Sequence, residues 1–174
     1  MTFPNILSVS RIFLSVPIIV LFENELILFS IFTFIIASIT DYLDGYFARK
    51  NSQVSHTGAL LDLLADKVFV SVLLIWMTFH FDSILVLISS ILIISREISI
   101  SYLRLFIISK SKNIDETKSD LLGKYKTAFQ MIGLGLILVS PIVSDIFMFS
   151  VGFLFLSALV SWYSLIQYLN KWIL

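Results

Sequence analysis

Four aspartates stand close together in a chain that is otherwise strongly apolar. They are Asp41, Asp44, Asp62 and Asp66. On helices, the spacing of three residues in the first pair and four in the second would put each pair on one face. A charge at membrane depth costs roughly 2.5–3.5 kcal/mol, and four like charges repel one another unless divalent cations neutralise them. The pattern therefore predicts a metal site that performs chemistry at a membrane.

The available residue types restrict the metal and the reaction. The chain has no cysteine and only two histidines, so the ligands should be carboxylate oxygens and the metal a hard cation such as Mg²⁺ or Mn²⁺. Four carboxylates suit two divalent cations about 3.5–4 Å apart, an arrangement that stabilises both the attacking and the leaving oxygen in phosphoryl transfer. We therefore expect two ions.

Simpler explanations exist for single residues in this region. A lone membrane aspartate can relay protons or form an ion pair, and Asp44 with Arg49 could be a structural pair. Small residues lie on the same predicted helical faces, at Gly45, Ala48 and Gly58. They would permit close helix approach or leave room for a ligand. Four carboxylates together with these small residues favour a site over a structural pair.

Composition predicts an all-α integral membrane protein. The chain of 174 residues is 58% hydrophobic and 14% charged, against about 25% charged in soluble domains. Apolar runs of about 18 residues or more can span a bilayer. We predict one domain, residues 1–174, with six transmembrane helices in an up-down bundle. The predicted helices are Pro4–Phe22, Leu26–Arg49, Thr57–Phe79, Ser83–Ile108, Leu121–Val139 and Asp145–Trp172.

The distribution of basic residues predicts the orientation. The turns after the first, third and fifth segments contain no Lys or Arg, whereas the other turns and the C-terminal end contain Lys50, Lys110, Lys112, Lys118 and Lys171. The positive-inside rule then places both termini in the cytoplasm. Asp41 and Asp66 would lie ~12 and ~14 Å from that side, at 1.5 Å per residue. The carboxylates should therefore form a layer open to the cytoplasm.

Basic residues are predicted in the same layer. They are Arg11, Arg96, Arg104, Lys124 and Lys126. Such side chains bind phosphate groups well, although contact with lipid headgroups by snorkelling is the simpler alternative for each. The formal net charge is zero, so attraction to nucleic acid has no support.

The carboxylate region resembles the signature of the CDP-alcohol phosphatidyltransferases. Asp41 is followed by Asp44-Gly45-x-x-Ala48-Arg49, eight residues, and Gly58-x-x-x-Asp62-x-x-x-Asp66. Other stretches resemble one branch, the bacterial phosphatidylglycerophosphate synthases: Pro4-Asn5-Ile6-Leu7-Ser8-x-x-Arg11, Ser95-Arg96-Glu97-Ile98 through Leu103-Arg104, and Gly123-Lys124-x-Lys126-Thr127. The stretch Asp62-Leu63-Leu64-Ala65-Asp66-Lys67 lacks the Pro of that branch's Asp-Pro-x-Ala-Asp-Lys form.

The resemblance implies an enzyme that transfers the phosphatidyl group of CDP-diacylglycerol to an alcohol and releases CMP. The branch implies sn-glycerol 3-phosphate as acceptor, Asp66 as general base and a homodimer in a bacterial inner membrane, with the active site facing the cytoplasm. The four aspartates would ligate the metals. Asn5, Gly45, Ala48, Arg49 and Gly58 would line the CDP-diacylglycerol site. Our own hypothesis assigns the acceptor phosphate to Arg96, Arg104, Lys124 and Lys126.

Other functions stay open at this point. Another acceptor, inositol phosphate or phosphatidylglycerol (as in a cardiolipin synthase), would keep the same superfamily. A divalent-cation transporter is an alternative of another class, because buried carboxylates also bind ions in transit. Against transport, the predicted charged layer ends halfway across the membrane.

Overall fold

The part of the chain that the structure describes forms six α-helices. The computed structural model describes the backbone of residues 3–50, 56–111 and 121–173, and the side chains of residues 10–40, 64–103 and 125–170. The helices are α1 (Phe3–Glu23), α2 (Ile27–Lys50), α3 (His56–Phe81), α4 (Ile84–Ser111), α5 (Leu121–Val139) and α6 (Ile146–Ile173). Each begins and ends within a few residues of its predicted bounds, which confirms the six helices inferred from the apolar runs.

Tight turns reverse the chain after α1 and after α3. Glu25 has a left-handed backbone with φ of 61°. The Leu26 amide donates to the Leu21 carbonyl at 2.9 Å and the Glu25 amide to the Phe22 carbonyl at 3.0 Å, which is the Schellman pattern of a helix C-terminus. Asp82 is also left-handed, with φ of 43°. Because these turns are short, α2 packs back on α1 and α4 packs back on α3.

The order of the helices in space differs from their order in the chain. In the part of the chain that the structure describes, α1 has its main contacts with α2 and α3. The contacts then continue from α3 to α4, from α4 to α6, from α6 to α5 and from α5 back to α2. The six helices thus form a closed ring. The carboxylate-bearing helices α2 and α3 both pack on α1, which places the N-terminal helix beside the predicted site.

The helices are apolar on both their inner and outer faces. Every helix contributes to the buried core, through residues such as Ile18, Phe34, Phe69, Ile93, Leu134 and Leu154. Large apolar side chains also cover the outside, among them Phe13, Phe29, Phe79 and Phe149, which are 63–81% exposed. A helix that is apolar all round belongs in a membrane or in a large core. The exterior is therefore suited to lipid.

Three helices are long and apolar enough to cross a bilayer within the described ranges. The stretches are Leu64–Phe81, Ile84–Leu103 and Ile146–Asn170. Shorter apolar stretches occupy Ile27–Thr40 in α2 and Tyr125–Val139 in α5. These lengths and compositions are those of an integral membrane protein.

Candidate active site

Asp66 is paired with a buried arginine from another helix. Arg11 of α1 donates from Nη1 to Oδ1 of Asp66 in α3. The Arg11 side chain is 1% exposed and the Asp66 side chain 43% exposed. A guanidinium at this depth requires a negative partner, because an isolated buried charge is strongly destabilising. The packing of α1 on α3 therefore brings the arginine of the N-terminal motif to the last aspartate of the carboxylate motif.

The other predicted metal ligands lie on the two helices that pack against α1. Asp41 and Asp44 belong to α2 and Asp62 to α3, but their side chains lie outside the described residues. On the continuous helix α3, Asp62 precedes Asp66 by one turn, a rise of about 6 Å. Among the side chains that the structure describes, no three His, Asp or Glu residues form a group that could hold a metal. The four-aspartate metal cluster thus stays a prediction.

The predicted binding site for CDP-diacylglycerol is described only at the level of the backbone. The backbones of Asn5, Gly45, Ala48, Arg49 and Gly58 are helical, in α1, α2 and α3. Their surroundings lie outside the described side chains, so the assignment of these residues to CDP-diacylglycerol also stays a prediction.

A second charged cluster is centred on Glu97 of α4. Arg96 Nη1 donates to Glu97 Oε1 at 3.1 Å, and Lys126 of α5 forms an ion pair with the same oxygen. Lys67 of α3 lies 3.4 Å from Oε2, measured from its Nζ. One carboxylate therefore contacts three cations that come from three different helices. We call these four side chains the Glu97 cluster.

Hydrogen bonds to main-chain and hydroxyl groups fix the members of the Glu97 cluster. Lys67 Nζ donates to the Glu97 carbonyl at 3.1 Å and also to Oγ of Ser101. Arg96 Nε donates to the Ser161 carbonyl of α6 at 2.9 Å. These contacts connect α3 to α4 and α4 to α6. They restrict the conformations of the Lys67 and Arg96 side chains.

Helix α6 also supports the cluster from the side of α5. Ser157 Oγ donates to the Lys126 carbonyl at 2.9 Å, and Trp162 Nε1 donates to the Leu92 carbonyl of α4 at 3.0 Å. Bonds of this kind satisfy polar groups that have no access to water. They hold the backbones of α5 and α4, which carry Lys126 and Arg96, against α6.

Burial makes the Glu97 cluster suitable for an anion. The side chains of Lys67, Arg96 and Lys126 are 19%, 4% and 13% exposed, and that of Glu97 is 14% exposed. These four side chains comprise three cations and one carboxylate, and charge interactions are stronger where water is scarce. Arginine and lysine together are the usual partners of phosphate oxygens. The arrangement can bind a phosphate group.

The two charged regions are joined through consecutive residues of α3. Asp66 and Lys67 have Cα atoms about 3.8 Å apart, as neighbours in any trans chain do. Successive residues of a helix point in directions about 100° apart, so α3 directs Asp66 to α1 and Lys67 to α4. The ion pairs of Asp66 and Lys67 therefore lie on different sides of the same turn of α3.

Two of the four predicted acceptor residues are brought together here. Arg96 and Lys126 both contact Glu97, whereas Arg104 and Lys124 lie outside the described side chains. The sequence analysis did not select Glu97 or Lys67 as site residues. The signal was present, because each is an ionisable residue inside an apolar helix and such residues are usually functional.

Comparison with known proteins identifies the same family that the carboxylate motif resembles. The family model for CDP-alcohol phosphatidyltransferase matches residues 1–166. The chain is 33% identical over 170 residues to the CDP-diacylglycerol–glycerol-3-phosphate 3-phosphatidyltransferase of Salmonella choleraesuis, covering 96% of this chain and 92% of that protein. The protein of the same name from Sodalis glossinidius is 37% identical over 138 residues, 78% of this chain and 74% of its own length. The Shigella flexneri protein is 33% identical over 171 residues.

Proposed function

This chain belongs to the CDP-alcohol phosphatidyltransferase family, and from that premise we propose that it transfers the phosphatidyl group of CDP-diacylglycerol to sn-glycerol 3-phosphate. The products are phosphatidylglycerophosphate and CMP. Relatives that match over most of the chain carry the name of this reaction. The observation that carries the proposal is the Glu97 cluster, a buried set of cations that adjoins Asp66 through Lys67.

The donor is proposed to bind at the aspartates of α2 and α3. Members of this family generally depend on divalent cations. Two ions, Mg²⁺ or Mn²⁺, would be held by Asp41, Asp44, Asp62 and Asp66, whose oxygen donors suit hard cations. Ions held by these aspartates would neutralise charge on the diphosphate and on the departing CMP. At Asp66 the fit is supported by exposure, because 43% of its side chain is accessible although Arg11 contacts Oδ1. Asn5, Gly45, Ala48, Arg49 and Gly58 would line the rest of the donor site.

Asp66 is proposed to take the proton of the acceptor. The acceptor hydroxyl oxygen attacks the phosphorus that carries diacylglycerol, the bond from that phosphorus to the CMP oxygen breaks, and CMP leaves with the electron pair. The hydroxyl proton passes to the Asp66 carboxylate. Arg11 orients that carboxylate through the Oδ1 contact, and a fixed orientation of reacting groups lowers the barrier substantially.

The acceptor phosphate is proposed to bind in the Glu97 cluster. Arg96 and Lys126 would contact its oxygens, and Arg104 of α4 and Lys124 of α5 are proposed as further contacts. From there the acceptor hydroxyl would reach the proposed base Asp66, the residue before Lys67 on α3. A guanidinium and ammonium groups that are already gathered in one place lose little entropy when the anion binds.

The membrane arrangement is part of the same proposal. All six helices would span a bacterial inner membrane, with both termini and the site facing the cytoplasm. A lipid donor needs its headgroup at the interface and its acyl chains among membrane lipids, whereas an anionic acceptor arrives from water. The protein would act as a homodimer.

An assay of CMP release tests the proposed function. Purified protein in lipid vesicles would receive CDP-diacylglycerol with one of four acceptors: sn-glycerol 3-phosphate, inositol phosphate, phosphatidylglycerol or uncharged glycerol. We expect efficient CMP release with sn-glycerol 3-phosphate. Preference for inositol phosphate or phosphatidylglycerol would reject the acceptor, and absence of CMP release with all four would reject the enzyme in favour of a binding or transport role.

A further inference from the structure

The largely buried carboxylate of Glu97 contacts three cations, and none of the roles predicted from the sequence includes it. Its carboxylate is shared by Arg96 on its own helix, Lys67 on α3 and Lys126 on α5. Its main-chain carbonyl accepts a second bond from Lys67 at 3.1 Å and a bond from Ser101 Oγ at 2.6 Å. One carboxylate thus contacts cations of three helices.

We propose that Glu97 is a positioning residue that holds Lys67, Arg96 and Lys126 together as the phosphate-binding site of the acceptor. This inference rests on the proposed function and adds two residues to it. Lys67 becomes a third cation of the acceptor site, and Glu97 becomes the group that keeps the three cations convergent. Glu97 acts through these side chains and is not itself a catalytic residue.

The three cations differ in how far they depend on Glu97 for their positions. Arg96 is held independently of Glu97, because its Nε donates to the Ser161 carbonyl at 2.9 Å. The two lysines have long flexible stems with several rotatable bonds. Without the carboxylate, the three positive charges would face one another in a poorly hydrated place, and their repulsion would separate the lysine ends. An incoming phosphate would then have to gather them again, and its affinity would fall.

The connection to the reaction is through the backbone of α3. Lys67 follows Asp66, so the contact between Lys67 and Glu97 also fixes the helix that presents the proposed base. The effect of Glu97 should appear mainly in acceptor binding, because the donor's proposed ligands lie on the other face of the α3 helix and on α2. This separation allows a kinetic test.

The test compares Glu97→Gln and Glu97→Asp with the wild type. Glu97→Gln keeps the size but removes the charge, and we expect the KM for sn-glycerol 3-phosphate to rise by about tenfold or more. The KM for CDP-diacylglycerol should stay within about twofold, since the donor site does not use Glu97. Glu97→Asp keeps the charge and shortens the side chain, so it should recover most of the acceptor affinity.

Glu23→Gln is the matched control. Glu23 is also an acid with a hydrogen-bonding partner on α3, Trp76, but Trp76 lies nine residues beyond Lys67 along that helix, a rise of roughly 14 Å. The Glu23→Gln variant should have wild-type KM values for both substrates.

A folded Glu97→Gln variant with the wild-type KM for sn-glycerol 3-phosphate would overturn the inference. If Glu97→Gln fails to fold, as judged by its melting in detergent, Lys67→Gln carries the test, because Lys67 contacts Glu97 and is proposed as a cation of the acceptor site. A wild-type acceptor KM in Lys67→Gln would then overturn the inference.

A double-mutant cycle separates positioning from a purely structural role. Because Glu97 is proposed to act through the lysines, combining Glu97→Gln with Lys126→Gln should raise the acceptor KM by less than the product of the single effects. Independent effects, a lowered acceptor KM in Glu97→Gln, or equal increases in the KM values of both substrates would overturn the inference. The wild-type assay is run first, so failure of the wild type to use sn-glycerol 3-phosphate rejects the proposed function separately.

Discussion

Arg11 and Asp66, which are separated by 55 residues in the chain, form an ion pair between α1 and α3. The arginine is almost fully buried, while the aspartate side chain is 43% exposed. The pair therefore has one end fixed inside the helix bundle and the other open to a ligand. This relationship brings the N-terminal helix to the proposed active site, and it leads to the first prediction.

Arg11→Gln should lower kcat without a comparable change in either KM. The variant removes a charge-assisted hydrogen bond, which is typically worth about 1.5–3 kcal/mol, so we expect kcat to fall by roughly ten- to a hundredfold. Steady-state CMP release at saturating concentrations of both substrates measures the effect. Ser15→Ala is the matched control, because Ser15 is buried on the same helix and its Oγ bonds only the Ile12 carbonyl in the described structure. Wild-type kcat in Arg11→Gln would remove Arg11 from the mechanism.

Removal of divalent cations should stop the reaction reversibly. In excess EDTA we expect no CMP release, with full recovery on adding Mg²⁺ or Mn²⁺. Ca²⁺ should support little turnover, because it prefers longer bonds and more ligands and would misplace the reacting oxygens.

Asp62→Asn should abolish transfer in the presence of either metal, yet melt at the wild-type temperature or higher without metal, since like-charge repulsion is relieved. More than about a tenth of wild-type turnover in this variant would exclude Asp62 as a necessary ligand.

Arg96→Lys should weaken acceptor binding selectively. Arg96 contacts Ser161 through Nε at 2.9 Å and Glu97 through Nη1 at 3.1 Å, and a single lysine nitrogen cannot reproduce this fork. We expect the KM for sn-glycerol 3-phosphate to rise by roughly ten- to a hundredfold, with little change in the KM for CDP-diacylglycerol. Ser99→Ala, which changes a residue that bonds only its own helix at Ser95 in the described structure, should leave both values unchanged. Equal KM values in Arg96→Lys and wild type would place the acceptor phosphate elsewhere.

Gly133→Ala should destabilise the contact between α5 and α6. A Cβ at Gly133 would lie 2.8 Å from Leu154 Cδ2 and 3.2 Å from the Leu154 amide nitrogen, and Leu154 is fully buried. Overpacking of this kind costs about 1–3 kcal/mol, so the melting temperature in detergent should fall. Gly152→Ala is the control, because a Cβ there meets no atom within 4 Å. Equal melting of the two variants would show that α5 can move away from α6.

The free energy of unfolding should depend on pH through Glu23, which lies at the C-terminal end of α1 and contacts the C-terminal part of α3. Trp76 Nε1 donates to Glu23 Oε1 at 2.7 Å and His80 Nδ1 lies 2.9 Å from the same oxygen. The hydrogen bond from Trp76, followed by the contact with His80, holds the pKa of Glu23 below its ordinary value of 4.5. Because the folded-state pKa is lowered, the stabilisation is present above about pH 4.5 and is lost as the pH falls through the lower, folded-state value.

Melting curves recorded by circular dichroism between neutral and acidic pH test this dependence. Glu23→Gln should lose the part of the pH dependence that arises at this position, and Trp76→Phe should reduce it, since phenylalanine keeps the ring but cannot donate. The Glu23 side chain is well exposed, so the effect should be small. A Glu23→Gln curve with the full wild-type pH dependence would contradict the prediction.

The helices themselves were predictable from the sequence. An apolar run of sufficient length determines where a membrane helix begins and ends, because every backbone polar group must be satisfied within the segment. The bounds of α5, Leu121–Val139, match the predicted segment at both ends. The helical setting of the four aspartates was predictable for the same local reason, and these residues do lie in α2 and α3.

The partners of the charged residues required the tertiary structure. Helical period determines which face a residue occupies but not which other helix packs there, and here the ring order places α3 between α1 and α4. That order alone pairs Arg11 with Asp66 and gives Lys67, Arg96 and Lys126 a shared carboxylate in Glu97. The sequence by itself determined the helices and the positions of the carboxylates along them. The tertiary packing decided which cations these carboxylates contact, because the ion pairs of Asp66 and most of those of Glu97 join residues of different helices.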